Sequence, residues 1–195
     1  MSPVLPPGVR YTADLLAPAE ADAALDALVR EITWEEHSFR IFGRTVPMPR
    51  KIQMYGPHGY AYSGVVHPPR PLPPTLDALR QRVEAATGLA FNSALCNLYR
   101  TGHDSMGWHR DDDYAHGGQP AVASLSLGAP RTFRMRPVAG GPSVGIRLAH
   151  GSLLVIDGEG RTAWSHALPR TAAPVGVRVN LTFRHMVALV AASPR

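Results

Sequence analysis

The chain has 195 residues, of which 45% are hydrophobic, and a formal net charge of +5. This length and apolar content predict one domain with a sizeable core. The single cysteine excludes a disulfide scaffold and a cysteine-based zinc cage, and no apolar run approaches the roughly 20 residues of a membrane-spanning helix.

Two helices are predicted in the N-terminal half. Residues 18–33 place apolar side chains on one helical stripe, namely Leu25, Leu28, Val29 and Ile32. Residues 74–87 form the second helix, with Gly88 at the position of a C-terminal cap; its stripe consists of Leu76, Leu79 and Val83. We expect residues 1–15 to be extended, and residues 39–64, which are rich in Gly, Pro and aromatics, to form hairpins and loops.

Short alternating segments follow from Phe91 onward, separated by turn signals such as GAP, AGGP and DGEG. The 19 prolines and 18 glycines fit many turns. This pattern predicts a mainly β (α+β) fold with an antiparallel barrel or jelly roll, covered on one outer face by the two helices. A sandwich without an internal site is the alternative. We divide the single domain into an N-terminal part, residues 1–90, and a β core, residues 91–195.

One face of the predicted strand 177–184 is polar. Alternation places four polar side chains on it, namely Arg178, Asn180, Thr182 and Arg184. A half-exposed strand would show the same pattern. Two arginines on one face also suit a pocket for a small dianion, because the planar guanidinium binds carboxylates in pairs of hydrogen bonds.

His109 and Asp111 lie two residues apart and so share a strand face. With a second histidine they form a two-histidine, one-carboxylate triad, the ligand set of non-haem iron(II) oxygenases. A solvated acidic turn is the alternative. His116, His150, His166 and His185 are candidates for the third ligand, and spacing favours His166. Asn97 and Tyr99 share a face of an earlier strand, where they would hydrogen-bond a carboxylate.

Several segments together resemble the AlkB family of iron(II)/2-oxoglutarate-dependent dioxygenases. They are NLYR, WHRDD, ASLSLG, HGSLLVI, SHALPR and RVNLTFR, and the resemblance covers about residues 40–186. It implies a double-stranded β-helix with a nucleotide-recognition lid, and iron(II) held by His109, Asp111 and His166. It implies no catalytic residue beyond these ligands. It also implies a 2-oxoglutarate site made by Asn97, Tyr99, Arg178, Asn180, Thr182 and Arg184.

The resemblance implies a reaction as well. With O2 and 2-oxoglutarate, such enzymes oxidatively remove alkyl groups from bases of the 1-methyladenine and 3-methylcytosine type, releasing formaldehyde, succinate and CO2. Phe42 and Gly43 resemble a finger that enters the base stack, and a hairpin core residue is the alternative for Phe42. The lid and its surroundings supply further substrate contacts, namely Arg50, Tyr60, Tyr62, Ser63 and Asp112; for the lid an ordinary Tyr-rich hairpin is the alternative.

DNA with N-alkylated bases, duplex or single-stranded, is therefore the expected partner, with RNA, a protein or a small molecule as alternative substrates. Basic candidates for phosphate contacts are Arg44, Arg50, Lys51, Arg100 and Arg110. The opening residues lack a signal-peptide pattern, so we expect a cytoplasmic protein, associated with the nucleoid when on DNA. We also expect a monomer without membrane contact. A non-enzymatic nucleic-acid-binding module that holds zinc is the third hypothesis, although such a module needs no pair of arginines for a dianion.

Overall fold

The computed structural model describes residues 4–41, 43–58, 60–62, 65–111 and 121–187. Within these ranges the chain forms a seven-stranded sheet, a four-stranded sheet and a two-stranded hairpin. In chain order the elements are β1 (Val9–Thr12), α1 (Pro18–Glu31), β2 (Glu35–Ile41), β3 (Arg44–Tyr55), β4 (Tyr60–Tyr62), β5 (Val65–His67), α2 (Pro74–Thr87), β6 (Ser93–Tyr99), β7 (Met106–His109), β8 (Val122–Gly128), β9 (Arg131–Pro137), β10 (Val144–Leu148), β11 (Ser152–Ile156), α3 (Gly158–Thr162), β12 (Trp164–Leu168) and β13 (Arg178–Arg184).

The two larger sheets are antiparallel and face each other. The major sheet has the order β1-β11-β8-β13-β6-β3-β2, and the minor sheet has the order β10-β9-β12-β7. Consecutive strands alternate between the sheets over much of the second half of the chain. This arrangement confirms the predicted double-stranded β-helix. None of the helices in the described ranges is long and apolar enough to cross a membrane.

Both long helices pack on the outer face of the major sheet, as predicted. Leu28 of α1 and Leu76 of α2 lie in one apolar cluster with Val179, Leu181 and Phe183 of β13. The second helix has the predicted bounds, and Gly88 caps it with a φ of 70°. The left-handed conformation of this cap favours glycine.

The first helix differs from its prediction in two respects. It ends at Glu31 rather than residue 33, because Ile32 is extended with a ψ of 127°. Its buried side includes two alanines, Ala21 and Ala24, beside Leu28. Val29, which spacing placed on the apolar stripe, is 41% exposed. Small residues on this side allow the helix to approach β8 closely.

Strands occur where the sequence predicted less order. Residues 1–15 contain β1, which pairs with β11. The expected hairpins of residues 39–64 include β3, a long strand of the major sheet. Pro47 and Pro49 obscure it in the sequence because proline is rare inside sheets. Pro47 pairs with β2 on one side only and Pro49 lies in the irregular stretch of that pairing, since the pairing of β3 with β6 begins at Lys51.

The N-terminal strands are part of the same sheet as the core. β1, β2 and β3 all precede residue 90, and β3 hydrogen-bonds to β6. The division between residues 90 and 91 lies between α2 and β6 and stays a prediction.

The space between the sheets is divided into two regions. At one end it is filled by an apolar cluster that consists of Val9, Met135, Ile146, Leu148, Leu154 and Ile156. At the other end polar side chains of β6 and β13 face β7 and β12 across a pocket. Within the described residues, the space between the sheets thereby combines an apolar core with a polar cavity.

Candidate active site

Three side chains converge on the minor-sheet side of this pocket. His109 and His166 are opposite each other on β7 and β12, with their Nε2 atoms 3.1 Å apart. Asp111 follows His109 by two residues, and its Oδ2 lies 3.5 Å from Nε2 of His166. One donor atom of each residue lies within 4.8 Å of the others. The structure therefore brings together the three residues predicted as metal ligands.

The protonation of the three groups suits a metal. Nδ1 of His109 lies 2.9 Å from the carbonyl oxygen of Gly107, to which only an N–H can donate. Nε2 of His109 therefore carries the free lone pair. Burial lowers the pKa of His109 and lowers that of His166 to about 4. Both rings are neutral at physiological pH, as ligands must be.

The carboxylate is held in its charged form. Burial alone would raise the pKa of Asp111, but the charge of Arg184 holds it at about 2, together with the two histidines at the low pH where they are protonated. Nη2 of Arg184 donates to Oδ1 of Asp111 at 2.7 Å. Arg161 of α3 donates to the backbone oxygen of the same residue. These bonds orient the carboxylate and leave Oδ2 on the histidine side.

Two imidazole nitrogens and one carboxylate oxygen form the ligand set of non-haem iron(II) oxygenases. In such sites three protein ligands leave coordination positions for other molecules. His109, Asp111 and His166 therefore fit iron(II) by the chemistry of their donor atoms.

A buried arginine lies at the opposite end of β13. Arg178 is 2% exposed, and its Nη2 donates to Oγ of Ser126 at 2.9 Å. Its guanidinium carbon lies 5.1 Å from the centre of the Tyr99 ring. Burial lowers the pKa of Arg178 to about 10, so the group remains a cation at neutral pH. Among the described residues it has no carboxylate partner, and its Nε makes no hydrogen bond. A buried cation without an anion suits a ligand carboxylate.

Amide and hydroxyl groups occupy the sheet between the two arginines. Asn180 pairs with Asn97 across β13 and β6 and donates to Oγ of Ser124 at 2.7 Å. Thr182 donates to Oδ1 of Asn180 at 3.1 Å. Arg178 and Arg184 are six residues apart, or about 20 Å along an extended strand. The predicted cosubstrate residues therefore line one face of the pocket, with a cation at each end.

Sequence reasoning missed several residues of the site. Ser124 and Ser126 alternate in β8 and both bond pocket residues; the alternation in AVASLSLG would have placed them on one face. Phe133 lines the pocket with its ring centre 5.2 Å from that of His166. Arg161 reaches Asp111 from a helix of five residues, and no local pattern indicates this contact.

The other histidine candidates have other positions. Nδ1 of His150 accepts a hydrogen bond from the backbone N–H of Gly128 at 2.8 Å, in agreement with a packing or capping role. His185 follows β13 and does not line the pocket. His116 lies outside the described residues.

The predicted substrate contacts are described only in part. Arg50 is buried, and its Nε donates to Oδ1 of Asn97 at 2.8 Å. Gly43 lies between β2 and β3 with a φ of 76°, a turn conformation that favours glycine. Tyr60 and Tyr62 belong to β4, whose backbone alone is described. The remaining three, Phe42, Ser63 and Asp112, lie outside the described residues.

Two of the basic residues predicted to contact phosphate form ion pairs. Nζ of Lys51 lies 3.3 Å from Glu36, and Nε of Arg100 lies 2.8 Å from Asp104. Arg44 is exposed.

Comparison with known proteins agrees with this geometry. The model of the 2OG-Fe(II) oxygenase superfamily matches residues 8–184. The chain is 41% identical over 175 residues to alpha-ketoglutarate-dependent dioxygenase alkB homolog 3 of Homo sapiens, which covers 85% of this chain and 61% of that protein. It is 37% identical over 186 residues to DNA oxidative demethylase ALKBH2 of Mus musculus, covering 89% of this chain and 78% of that protein.

The fold is also similar to a solved structure. OsALKBH1 matches with a TM-score of 0.67 at 18% identity, over 93% of this chain and 99% of that chain. The chain spans 59–61% of the length of its alkB homolog 3 relatives from rat and human. The extent of the superfamily match and the identity to the mouse demethylase show that the chain belongs to the 2OG-Fe(II) oxygenase superfamily and, within it, to the AlkB family.

Proposed function

We propose that the protein is a dioxygenase that uses iron(II), 2-oxoglutarate and O2 to remove alkyl groups from N-alkylated bases of DNA. One pocket holds the neutral rings of His109 and His166, the ionised Asp111 and the unpaired cation of Arg178, and this observation carries the proposal. The names of the relatives, which include a DNA oxidative demethylase, support the substrate class.

His109, Asp111 and His166 would hold the iron. When bound, iron(II) with 2-oxoglutarate and O2 supplies the oxidising power that hydroxylates an N-alkyl carbon, which then leaves as an aldehyde while the cosubstrate becomes succinate and CO2. Arg184 keeps Asp111 ionised and fixes its orientation, because it donates to the oxygen that does not face the histidines.

Arg178 would bind the distal carboxylate of 2-oxoglutarate. The guanidinium is already desolvated and is held by Ser126 and the face of Tyr99. A preorganised cation of this kind binds a carboxylate without a further loss of side-chain freedom. Apolar side chains beside it exclude water from the reacting centre; they are Leu95, Met106, Phe133 and Leu168.

We assign contact with the flipped base to the β4–β5 hairpin, where Tyr60 and Tyr62 offer aromatic rings, together with Phe42, Gly43, Ser63 and Asp112. A carboxylate at position 112 would accept a hydrogen bond from the exocyclic amine of adenine or cytosine. We assign Arg50 to positioning, since its Nε donates to Asn97 in the cosubstrate face. Action on duplex DNA and a monomeric state belong to the same proposal.

The test is mass spectrometry of an oligonucleotide that contains 1-methyladenine, single-stranded or in a duplex. The protein is incubated with iron(II), 2-oxoglutarate and air, and a parallel reaction omits 2-oxoglutarate. We expect loss of one methylene mass from the base and formation of succinate, both dependent on the cosubstrate.

Two histidine variants make the test specific. His109→Ala should abolish turnover, whereas His103→Ala, at an exposed histidine in the turn after β6, should retain it. Succinate without loss of the methyl group, from 1-methyladenine and from 3-methylcytosine alike, would mean that the substrate lies elsewhere and would overturn the substrate proposal. Full activity of His109→Ala would overturn the ligand assignment.

A further inference from the structure

The outer face of the minor sheet is positively charged. Its four strands contain no acidic residue, and three of their four arginines are exposed, whereas Arg131 is buried. In β9, Arg134 and Arg136 are exposed while Phe133 and Met135 alternate toward the interior. Arg147 of β10 is exposed on the same outer face, since it pairs with the exposed Thr132.

These exposed arginines have no carboxylate partner in the part of the chain that the structure describes, and Arg136 donates only to Oγ of Ser165 at 3.3 Å. Among the described residues, Arg134, Arg136 and Arg147 form no ion pair with a carboxylate, whereas Arg80 and Arg100 each pair with one at 2.8 Å. A Cβ at Gly145 would lie 3.4 Å from Nη1 of Arg134, so this guanidinium lies close over the backbone of β10. Like charges on one face raise its potential and attract a polyanion.

An aromatic ring stands at the edge of this face. Trp108 is 41% exposed, and the guanidinium carbon of Arg136 lies 4.2 Å from the centre of its ring. Trp108 lies on edge strand β7 directly before His109, whose side chain faces the pocket. A surface cavity lined by Trp108, His109, Arg136 and Ser165 connects the ligand histidine with the outer face.

A second cavity lies at the N-terminal end of β9. Its lining includes Arg131, Arg134, Arg147 and Arg170. Arg131 is buried and donates to the backbone carbonyl oxygens of Asp104 and Pro169, so the exposed cations of this cavity are Arg134, Arg147 and Arg170. The cations therefore form a track across the sheet, from the rim of the pocket beside Trp108 to the far cavity.

We propose that this face binds the single-stranded nucleic acid that flanks the base held in the pocket. Trp108 stacks on an unpaired base, and Arg134, Arg136 and Arg147 contact successive phosphates. A positively charged groove with an aromatic platform is the combination that binds single strands without sequence preference. The path from the pocket rests on the proposed function, since it requires a nucleic-acid base beside the metal ligands.

The test of the track compares two double variants by fluorescence polarisation with an unmodified, labelled single-stranded oligonucleotide. Arg134→Gln/Arg147→Gln removes two cations from the track. Arg30→Gln/Arg82→Gln removes two exposed cations from α1 and α2 on the opposite side of the major sheet. The track variant should bind about tenfold more weakly, and the slope of log affinity against log salt should decrease by about 1.4, at about 0.7 per lost phosphate contact. The helix variant should match wild type.

The test of the platform uses Trp108→Leu and Trp108→Phe. Loss of one stacked base should weaken binding by roughly tenfold in Trp108→Leu, and the ring of Trp108→Phe should restore most of it. Manganese(II) should raise the melting temperature of both variants by as much as that of wild type, which would show that the neighbouring His109 is intact.

The outcomes separate this inference from the proposed function. If a methylated trinucleotide is demethylated and the track variant binds and demethylates long strands like wild type, the inference is overturned and the function stands. If no base is demethylated but oligonucleotide binding depends on Arg134, Arg147 and Trp108, the function fails and the binding face stands. Equal salt slopes for the two double variants would overturn the inference in either case.

Discussion

Replacing Arg178 with methionine should leave the metal-free fold about as stable as before, whereas the same replacement of Arg184 should destabilise it strongly. Both arginines are buried on the polar face of β13. They differ in their partners. Arg184 has an ion pair with Asp111, and Arg178 has a hydroxyl and the face of a ring.

The small change in stability expected for Arg178→Met follows from the burial of the arginine's charge. Its pKa is lowered to about 10. The lowering from the ordinary arginine value corresponds to a cost of about 3 kcal/mol, at about 1.4 kcal/mol for each tenfold step. Methionine removes this penalty but leaves the hydroxyls of Ser126 and Tyr99 without the guanidinium, at about 1–3 kcal/mol for each unsatisfied group. The opposing effects nearly cancel.

The loss of stability on replacing Arg184 has no such compensation. Its Nη2 lies 2.7 Å from Oδ1 of Asp111, and both side chains are at most 5% exposed. Removing one partner of a buried pair leaves an uncompensated charge and costs about 3–5 kcal/mol. For a domain of this size each kcal/mol shifts the melting temperature by about 2–4 °C, so Arg184→Met should melt roughly 10 °C below wild type.

The assay is thermal and urea unfolding in the presence of a chelator, followed by the same melts with manganese(II) and 2-oxoglutarate. At a hundredfold excess over its dissociation constant, a ligand stabilises by about 2.7 kcal/mol. Wild type should gain this from 2-oxoglutarate, and Arg178→Met should gain nothing. A loss of several kcal/mol in metal-free Arg178→Met, or an undiminished response to 2-oxoglutarate, would refute the assignment of Arg178 as the carboxylate site.

Three further predictions concern the metal ligands and the helix-facing side of the major sheet. Manganese(II) or cobalt(II) should raise the melting temperature of wild type but not of His166→Ala, and a chelator should reverse the rise; a response in the variant would contradict the ligand assignment. Leu181→Ala, on the helix-facing side of β13, should cost about 3–5 kcal/mol in urea unfolding through the cavity it leaves. It should leave the KM for 2-oxoglutarate unchanged, because its side chain faces away from the pocket. Burial raises the pKa of the Cys96 thiol, so a thiol reagent should label it only at the rate of unfolding; rapid labelling of the native protein would disprove its burial.

Much of the site could be predicted because strand alternation is a local property. The predicted polar face of residues 177–184 lies in the pocket, and Val179, Leu181 and Phe183 pack against the helices. The second helix could be predicted equally well, since its apolar stripe and its capping glycine lie within 15 consecutive residues. In both cases neighbouring residues carry the signal.

The contacts that complete the site could not be predicted from the sequence in the same way. Arg161 reaches Asp111 from 50 residues away, and Arg50 reaches Asn97 from 47 residues away. Such bonds depend on where two sheets place distant segments. The length of strand β3, within the hairpins expected for residues 39–64, was not predicted for a related reason, because its prolines are tolerated where the tertiary fold leaves β3 unpaired with β6.

The sequence by itself determined the residue types, their alternation and their order, and these were enough to indicate a mainly β fold, three metal ligands and a dianion site. The tertiary structure decided which arginine is neutralised by Asp111 and which remains an unpaired cation for a ligand. It also decided that Trp108 and three arginines share one outer face. The physical reason is that alternation tells which side of a strand a residue occupies, whereas only the pairing and packing of strands determine which groups lie across from it.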